Sequence, residues 1–262
     1  DKKFNFFENI FRGLGGKAKT LKESAKLFTY NKLADSISIS RILELYSFEL
    51  FEELGFKEKV GERTLYRNLE RIGNNYKFLM SNNQKFLKIN NLISEKQFID
   101  FSSSYFEGNN SELGALGYSR DQQPGKKQIT WGISTGINEI PTALTIQRGN
   151  VQDKTHFKFM LNTVKKVLDK NSLLMFDCGG NTRKNKEKII ELFFNYLTLK
   201  AKQKKAYKPF IDFFEKNIKF GFVLNGRTYF YSKTKSGEEY QYIFFSPDLQ
   251  VDQIKKRDKK FQ

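Results

Sequence analysis

Leu173-Leu-Met-Phe-Asp-Cys-Gly-Gly-Asn-Thr182 is the stretch on which the fold turns. Four apolar residues in a row make a short buried strand, and a helical pattern begins directly after Thr182 and runs to about Phe193. Just before the stretch, Phe157, Met160, Leu161, Val164 and Leu168 recur at helical spacing over Lys154 to Leu168. A strand reached through a helix joins its neighbour in parallel, because a parallel pair needs a crossover. Asp177 then stands at the carboxyl end of a buried strand, where α/β sheets tend to bind ligands. It could also cap the following helix, although Asn181 and Thr182 lie closer to that helix and can cap it without Asp177.

Upstream the period is that of strands. Phe98 to Phe106, Gln128 to Thr135 and Ile140 to Gln147 are joined by Gly-, Asn- and Pro-containing turns and predict an antiparallel meander of three. Downstream a further strand is expected at Tyr196 to Leu199. After Lys200 the chain turns basic and then strand-rich again: Phe220 to Leu224, Arg227 to Ser232 and Tyr240 to Phe245, with Asn-Gly and Ser-Gly turn signals. The expected division is a core over 95–200, a basic and β-rich insertion over 201–246, and the start of a helix over 247–262.

From Phe4 to about Leu92 the pattern is helical, giving an N-terminal helical region over 1–94. Ile42, Leu45, Phe48 (or Leu50) and Leu54 are spaced as one apolar face, with Gly55 as a stop. Gly61 to Gly73 reads as a short helix with Leu65, Leu69 and Ile72 inward and Arg63, Arg67, Asn68 and Arg71 outward. Helix, Gly-containing link and basic helix is the arrangement that sets side chains in a major groove; the competing reading is a plain packing helix.

The chain has 46 Lys+Arg against 29 Asp+Glu and one His, a formal charge of +17. That charge attracts polyanions, and nucleic acid is the leading partner. No apolar run approaches the roughly 18 residues that span a bilayer, and no signal-peptide pattern is present. Cys178 is the single cysteine, which excludes an intrachain disulfide and a multi-cysteine zinc site and fits a reducing, intracellular setting. Asp1 at one end and a lysine-rich helical pattern at the other lead us to expect truncation at both ends.

Asp100 lies inside Phe98-Ile-Asp-Phe-Ser-Ser-Ser-Tyr-Phe106, where burying a lone carboxylate is costly unless a metal or a partner charge offsets it. The alternative is an Asp on the solvated face of an edge strand. Asp100 and Asp177 on adjacent strands could hold Mg²⁺, with Mn²⁺ as substitute, for phosphodiester displacement. Oxygen ligands suit that ion, and a chain with one His and one Cys offers few others; His156 reads as structural or surface. Arg183, Lys184, Lys186 and Lys188 flank this site, and Lys200, Lys202, Lys204, Lys205 and Lys208 form a second basic run. Both are candidates for phosphate contact or for a solvated helix face, and Tyr207, Phe210, Phe213 and Phe214 are expected to pack.

Four segments in fixed order, Phe98 to Gly108, Leu116-Gly-Tyr-Ser-Arg-Asp121, Arg148-Gly-Asn-Val-Gln-Asp153 and Met175 to Asn181, resemble insertion-sequence transposases of the DDE superfamily, and the likeness extends from about Phe98 onward. The resemblance implies a ribonuclease H-like mixed sheet with a β-rich insertion, preceded by the helical region. It puts Asp100 at the first catalytic acid and Asp177 at the second, leaving Asp153 as a turn or helix cap and Asp121 as a substrate-side or structural residue. It also implies Mg²⁺-dependent cleavage and strand transfer, double-stranded DNA partners (terminal inverted repeats and target DNA), a homodimer on paired ends, and a prokaryotic cytoplasmic, nucleoid-associated setting. The family's third acid is a glutamate on a helix after the insertion. Glu238 and Glu239 stand instead in a hairpin context, so the chain is expected to stop before that acid. The rival expectations are a catalytically incomplete relic that only binds DNA, and a related two-metal nuclease.

Overall fold

The computed structural model describes residues 4–58, 60–108, 110–118, 122–200, 204–216 and 219–258. Two units are present, Asp1–Leu199 and Lys200–Gln262.

In the first unit, period-2 alternation builds three antiparallel strands, β1 (Lys96–Tyr105), β2 (Gln128–Gly136) and β3 (Pro141–Arg148). Six helices precede them: α1 (Phe6–Phe11), α2 (Ala18–Leu33), α3 (Ile39–Leu45), α4 (Phe48–Leu54), α5 (Glu62–Asn74) and α6 (Tyr76–Ile89). After the meander come α7 (Asp153–Val164), β4 (Leu173–Phe176), α8 (Arg183–Glu191) and β5 (Asn195–Thr198). The sheet order is β3-β2-β1-β4-β5, with β4 parallel to β1 and β5 parallel to β4. The meander, the crossover helix and the parallel additions expected from the sequence are all present.

One face of this sheet is packed and the other is open. On β1 the residues alternate, with Gln97, Ile99, Phe101 and Ser103 buried and Lys96, Phe98, Asp100 and Ser104 exposed. The buried side meets α7 and α8 in a core built on Phe157, Met160, Leu161, Leu174 and Ile189, each fully buried. Phe157 anchors it, with its ring 4.5 Å from Phe176 and 6.1 Å from Phe101. Burying such side chains stabilises by about 1.5–3 kcal/mol apiece. His156 belongs to this core: it is fully buried, its Nε2 lies 2.9 Å from Thr145 Oγ1, and its ring packs 4.8 Å from Phe101.

The helical region departs from the expected pattern in two places. The apolar face expected over Ile42 to Leu54 is split, because Ser47 takes an extended conformation and starts a new helix, leaving Leu45 and Phe48 exposed. Gly55 does end α4, in the left-handed region at φ 104°. On α5, Leu65 faces inward as expected, but Leu69 is exposed and Asn68 is buried, donating to Ser24 Oγ on α2 at 2.9 Å. Steps of three and then four residues, from Leu65 through Asn68 to Ile72, set the packed stripe, and a hydrogen-bonded amide takes the place that hydrophobicity assigned to leucine. Arg63 and Arg67 are exposed and Arg71 is half-buried. The amide of Gln84 on α6 donates to the Thr142 and Thr163 carbonyls, at 3.1 and 3.3 Å, joining the helical region to the sheet and to α7.

The second unit holds α9 (Lys204–Lys216), β6 (Phe220–Leu224), β7 (Arg227–Ser236), β8 (Glu239–Phe245) and α10 (Pro247–Asp258), the strands forming an antiparallel sheet in the order β6-β7-β8. Phe213 and Phe214 are half-buried, and the Phe214 ring lies 6.0 Å from Phe245. Tyr207 and Phe210 fall in α9, with side chains outside the described residues.

Three strands of the first sheet are pinned by one buried amide. Gln97 Oε1 accepts from Ser134 Oγ at 2.9 Å and from Thr142 Oγ1 at 2.6 Å, while its Nε2 donates to the Ser94 carbonyl at 2.7 Å. Gln97→Leu keeps the volume but removes an acceptor and a donor, so it is expected to cost about 1–3 kcal/mol. A urea midpoint lowered at constant slope is the expected reading, and an unchanged midpoint would refute the role of the amide.

Candidate functional site

The parallel register of β1 and β4 runs from Lys96 opposite Leu173 to Ile99 opposite Phe176. Continued one residue past the paired positions, this register brings Asp100 and Asp177 to matching positions, with Asp177 just beyond the end of β4. Side chains at matched positions of a parallel pair share a face, and this is the open one; both aspartates are exposed. Asp100 is therefore neither buried nor on an edge strand. It lies on the central strand of five, on the side that α7 and α8 do not cover. The surroundings are apolar: Phe98 is 53% exposed and Leu197 55%, and Met175 is half-buried between their strands.

Each carboxylate is steadied by a backbone amide. Asp100 Oδ1 accepts from the amide of Phe101 at 2.8 Å, and Asp177 Oδ1 from that of Gly179 at 2.9 Å. The carbonyl of Asp177 accepts from Thr198 Oγ1 at 3.0 Å, which fastens the end of β4 to β5. Among the described residues the second oxygen of each acid carries no hydrogen bond, so both can face a cation. No group of three or more His, Cys, Asp or Glu able to hold a metal occurs among the described residues. The donor set is two carboxylates, which suits a hard ion that keeps several waters, as Mg²⁺ does.

Asp177 does not cap α8. Thr182 does, its hydroxyl accepting from the Asn185 amide at 3.2 Å, while Asn181 donates to the Leu199 carbonyl at 2.8 Å. Buried Asn185 closes the turn by donating to the carbonyls of Gly180 and Lys154, at 2.9 and 3.1 Å.

Asp153 is the first residue of α7, where a carboxylate is favoured by the helix dipole, and it makes no N-cap; that position is Gln152. Sequence reasoning leaves it outside the site, yet it reaches the same turn as Asp177. A Cβ on Gly179 would stand 2.8 Å from Asp153 Oδ2 and 3.1 Å from Asp177 Oδ1. The signal available in the sequence is the glycine pair itself, since glycine after a strand-end acid marks close approach. Beside Asp153, Ser103, Gln128 and Thr130 line a cleft of about 190 Å³. Asp121 lies outside the described residues.

The cations divide. Arg183 pairs with Glu187 at 2.8 Å and Lys188 with Glu191 at 2.8 Å, both on α8 itself, as a solvated helix face does. Lys184 is exposed, and Lys186 lies 5.7 Å from the Tyr196 ring. Lys200 and Lys208 are exposed; Lys202 lies outside the described residues, as do the side chains of Lys204 and Lys205 on α9. No helix among the described residues is long and apolar enough to cross a membrane.

No family model and no curated protein matches this sequence. Among solved structures, the chain is similar to a piggyBac transposase in a cryo-EM synaptic complex with hairpin DNA, with TM-score 0.43 and 11% identity over 86% of this chain and 52% of that one. The chain thus spans about half the length of that protein. It is also similar to the Mos1 transposase in a paired-end complex with left transposon end, with TM-score 0.29 and 13% identity over 74% of this chain and 71% of that one.

The two glycines of the turn should respond differently to substitution. In Gly180→Ala the new Cβ meets the rings of Phe157 and Phe176 at 2.8 and 2.9 Å, inside the core, for an expected loss of about 1–3 kcal/mol. Gly179→Ala pushes on the carboxylate ends of half-buried Asp153 and exposed Asp177, which give more easily than core rings, so the loss should stay below about 1 kcal/mol. Thermal melts of the two variants check this; equal losses would contradict the placement of the turn.

Proposed function

We propose that this chain is a DNA strand-transfer enzyme of the insertion-sequence DDE type, built on a ribonuclease H-like sheet. The observation that carries the reading is the parallel pairing of β1 with β4, whose register, continued one residue past Ile99 and Phe176, brings Asp100 and Asp177 to matching positions. The strand order β3-β2-β1-β4-β5, an antiparallel meander extended by parallel strands, supports it.

In this reading Asp100 and Asp177 hold Mg²⁺, or Mn²⁺ in its place. The bound ion supplies activation of a water or 3′-hydroxyl and stabilises the leaving oxygen of a phosphodiester. The amides of Phe101 and Gly179 fix one oxygen of each acid, which leaves the other aimed outward. Phe98, Met175 and Leu197 border the acids on the same face. The charge of +17 draws the DNA backbone to the protein, and the exposed Arg63, Arg67 and Lys184 are its candidate contacts, with Arg71 and Lys186 beside them. The DNA is double-stranded, terminal repeats and target alike, held by a homodimer on paired ends in a prokaryotic cytoplasm.

No third carboxylate joins the pair among the described residues, and this favours a second reading for the chain by itself: DNA binding without cleavage. A two-metal nuclease differs from both in its products, which are cut but never joined to a second DNA.

Mn²⁺ binding to the chain, followed by paramagnetic resonance, tests the acid pair. Asp100→Asn and Asp177→Asn should each weaken it at least about ten-fold, since losing even a residue that only supports a ligand costs that much. Duplex DNA affinity should hold in both, because neither acid is a phosphate contact. Unchanged Mn²⁺ binding in both variants would sink the assignment, and joined DNA products would separate strand transfer from simple hydrolysis.

A further inference from the structure

The sheet of the second unit has two unlike faces. On one, Ser232 is buried, Phe245 packs against Phe214 of α9, and the Thr228 amide donates to Asp248 of α10 at 2.8 Å. That face meets α9 through Phe245, while Val223 on it is 68% exposed.

The opposite face carries the aromatic residues. Register places Phe220 beside Tyr231 and Tyr231 beside Phe244, with Phe222 beside Tyr229 one step along. Next to these, Lys233 faces Tyr242 and Lys235 faces Tyr240. These rings stand on the face opposite Phe245; Arg227 on the same face pairs with Asp252 of α10 at 3.1 Å, Tyr229 and Tyr231 are half-buried, and Tyr240 and Phe244 are 57% and 58% exposed. Aromatic residues this exposed on a packed sheet mark a binding surface, because an open apolar patch otherwise costs solubility.

The rings form a continuous tier. Phe222 and Tyr229 stack with centroids 5.3 Å apart and planes 13° from parallel, and Tyr242 and Phe244 lie at 6.4 Å and 21°. Tyr231 links the two groups, 5.3 Å from Phe220 and 5.8 Å from Phe244. The cations sit at ring level: Lys233 Nζ is 4.1 Å from the Tyr240 centroid and Lys235 Nζ 5.8 Å. Neither lysine pairs with a carboxylate among the described residues, and the strand positions on this face hold no Asp or Glu.

We propose that this face binds single-stranded nucleic acid, its unpaired bases laid on the tyrosine and phenylalanine rings and its phosphates beside Lys233 and Lys235. Flat π-faces with unpaired cations among them match a strand whose bases are free to stack; every base has such a face, so the binding tolerates sequence. A duplex keeps its base faces inside its own stack and offers the rings little. A second copy of the chain would bring the same lysines together across the contact, where like charges repel. The proposal goes beyond the acid pair and stands whether or not Asp100 and Asp177 hold a metal.

The test uses the full chain and fluorescence anisotropy with a labelled polythymidine of about twenty nucleotides, long enough for one such site. Tyr240→Leu combined with Tyr242→Leu keeps apolar bulk and removes two stacking surfaces. Polythymidine affinity should fall about ten-fold or more, while affinity for a duplex of the same length stays unchanged. Lys233→Gln should flatten the salt dependence of polythymidine binding by about 0.7 in log–log slope. Equal loss on both DNAs, or no loss on either, overturns the proposal. A backbone of the same length lacking bases provides a measurement on the unaltered chain: it should bind about ten-fold more weakly than polythymidine, and equal affinity refutes base stacking even if the double variant fails to fold. A dimer in sedimentation that the double variant dissociates, with both DNA affinities intact, would assign the face to a second copy instead.

Discussion

The parallel ladder between β1 and β4 is the constraint on which the first unit depends. Two parallel strands cannot be joined by a tight turn, so the chain must cross over, and α7 is that crossover. Its apolar stripe then has one place to go, the face of the sheet where Ile99, Phe101, Leu174 and Phe176 point. Covering that face leaves the other to the alternate residues, and Asp100 and Asp177 are among them. The same ladder that buries Phe157, continued by one residue, brings the two acids to matching positions in the open.

Local chemistry at the end of β4 sharpens this arrangement. The chain must leave the strand, pass under α7 and enter α8 within a few residues, and Gly179 and Gly180 permit it because side chains there would strike Asp153 on one side and the core phenylalanines on the other. Asn185, buried beneath, holds the turn by two backbone carbonyls, so Asp177 has no capping task and is left to face solvent. The second unit solves a related problem differently. Its small sheet meets α9 through Phe245 on one face, and most of its aromatic residues stand on the other.

Much of this is legible in the amino-acid sequence. Alternation over Phe98 to Phe106 and the helical spacing from Phe157 to Leu168 locate the strands and the crossover, because burial on one side writes its period into the sequence. Asp177 stands out through its place after an apolar run. Where sequence reasoning fails, polar atoms have replaced apolar ones. Asn68 takes an inward position through one hydrogen bond to Ser24, and Leu69 faces out. His156, which reads as structural or surface, is structural, a core residue whose ring nitrogen meets Thr145, though its burial is not legible in the sequence. Such pairings join residues distant in sequence, and neither partner carries a mark of the other.

By itself, then, the sequence determined the identity and order of the elements, the positive charge and the two acids, since each of these is a property of a residue or of a short period. Only the tertiary structure decided which face each residue serves. Asp100 lies on the open side because the core closes over Ile99 and Phe101, and Asp153 and Asp177 both flank Gly179 because the start of α7 lies near the turn that follows β4. Tyr240 and Phe244 remain exposed because the contact of Phe245 with α9 lies on the opposite side of their sheet. An alternating pattern states that a strand has two faces; which one is covered depends on what packs there, and that is a contact between distant parts of the chain.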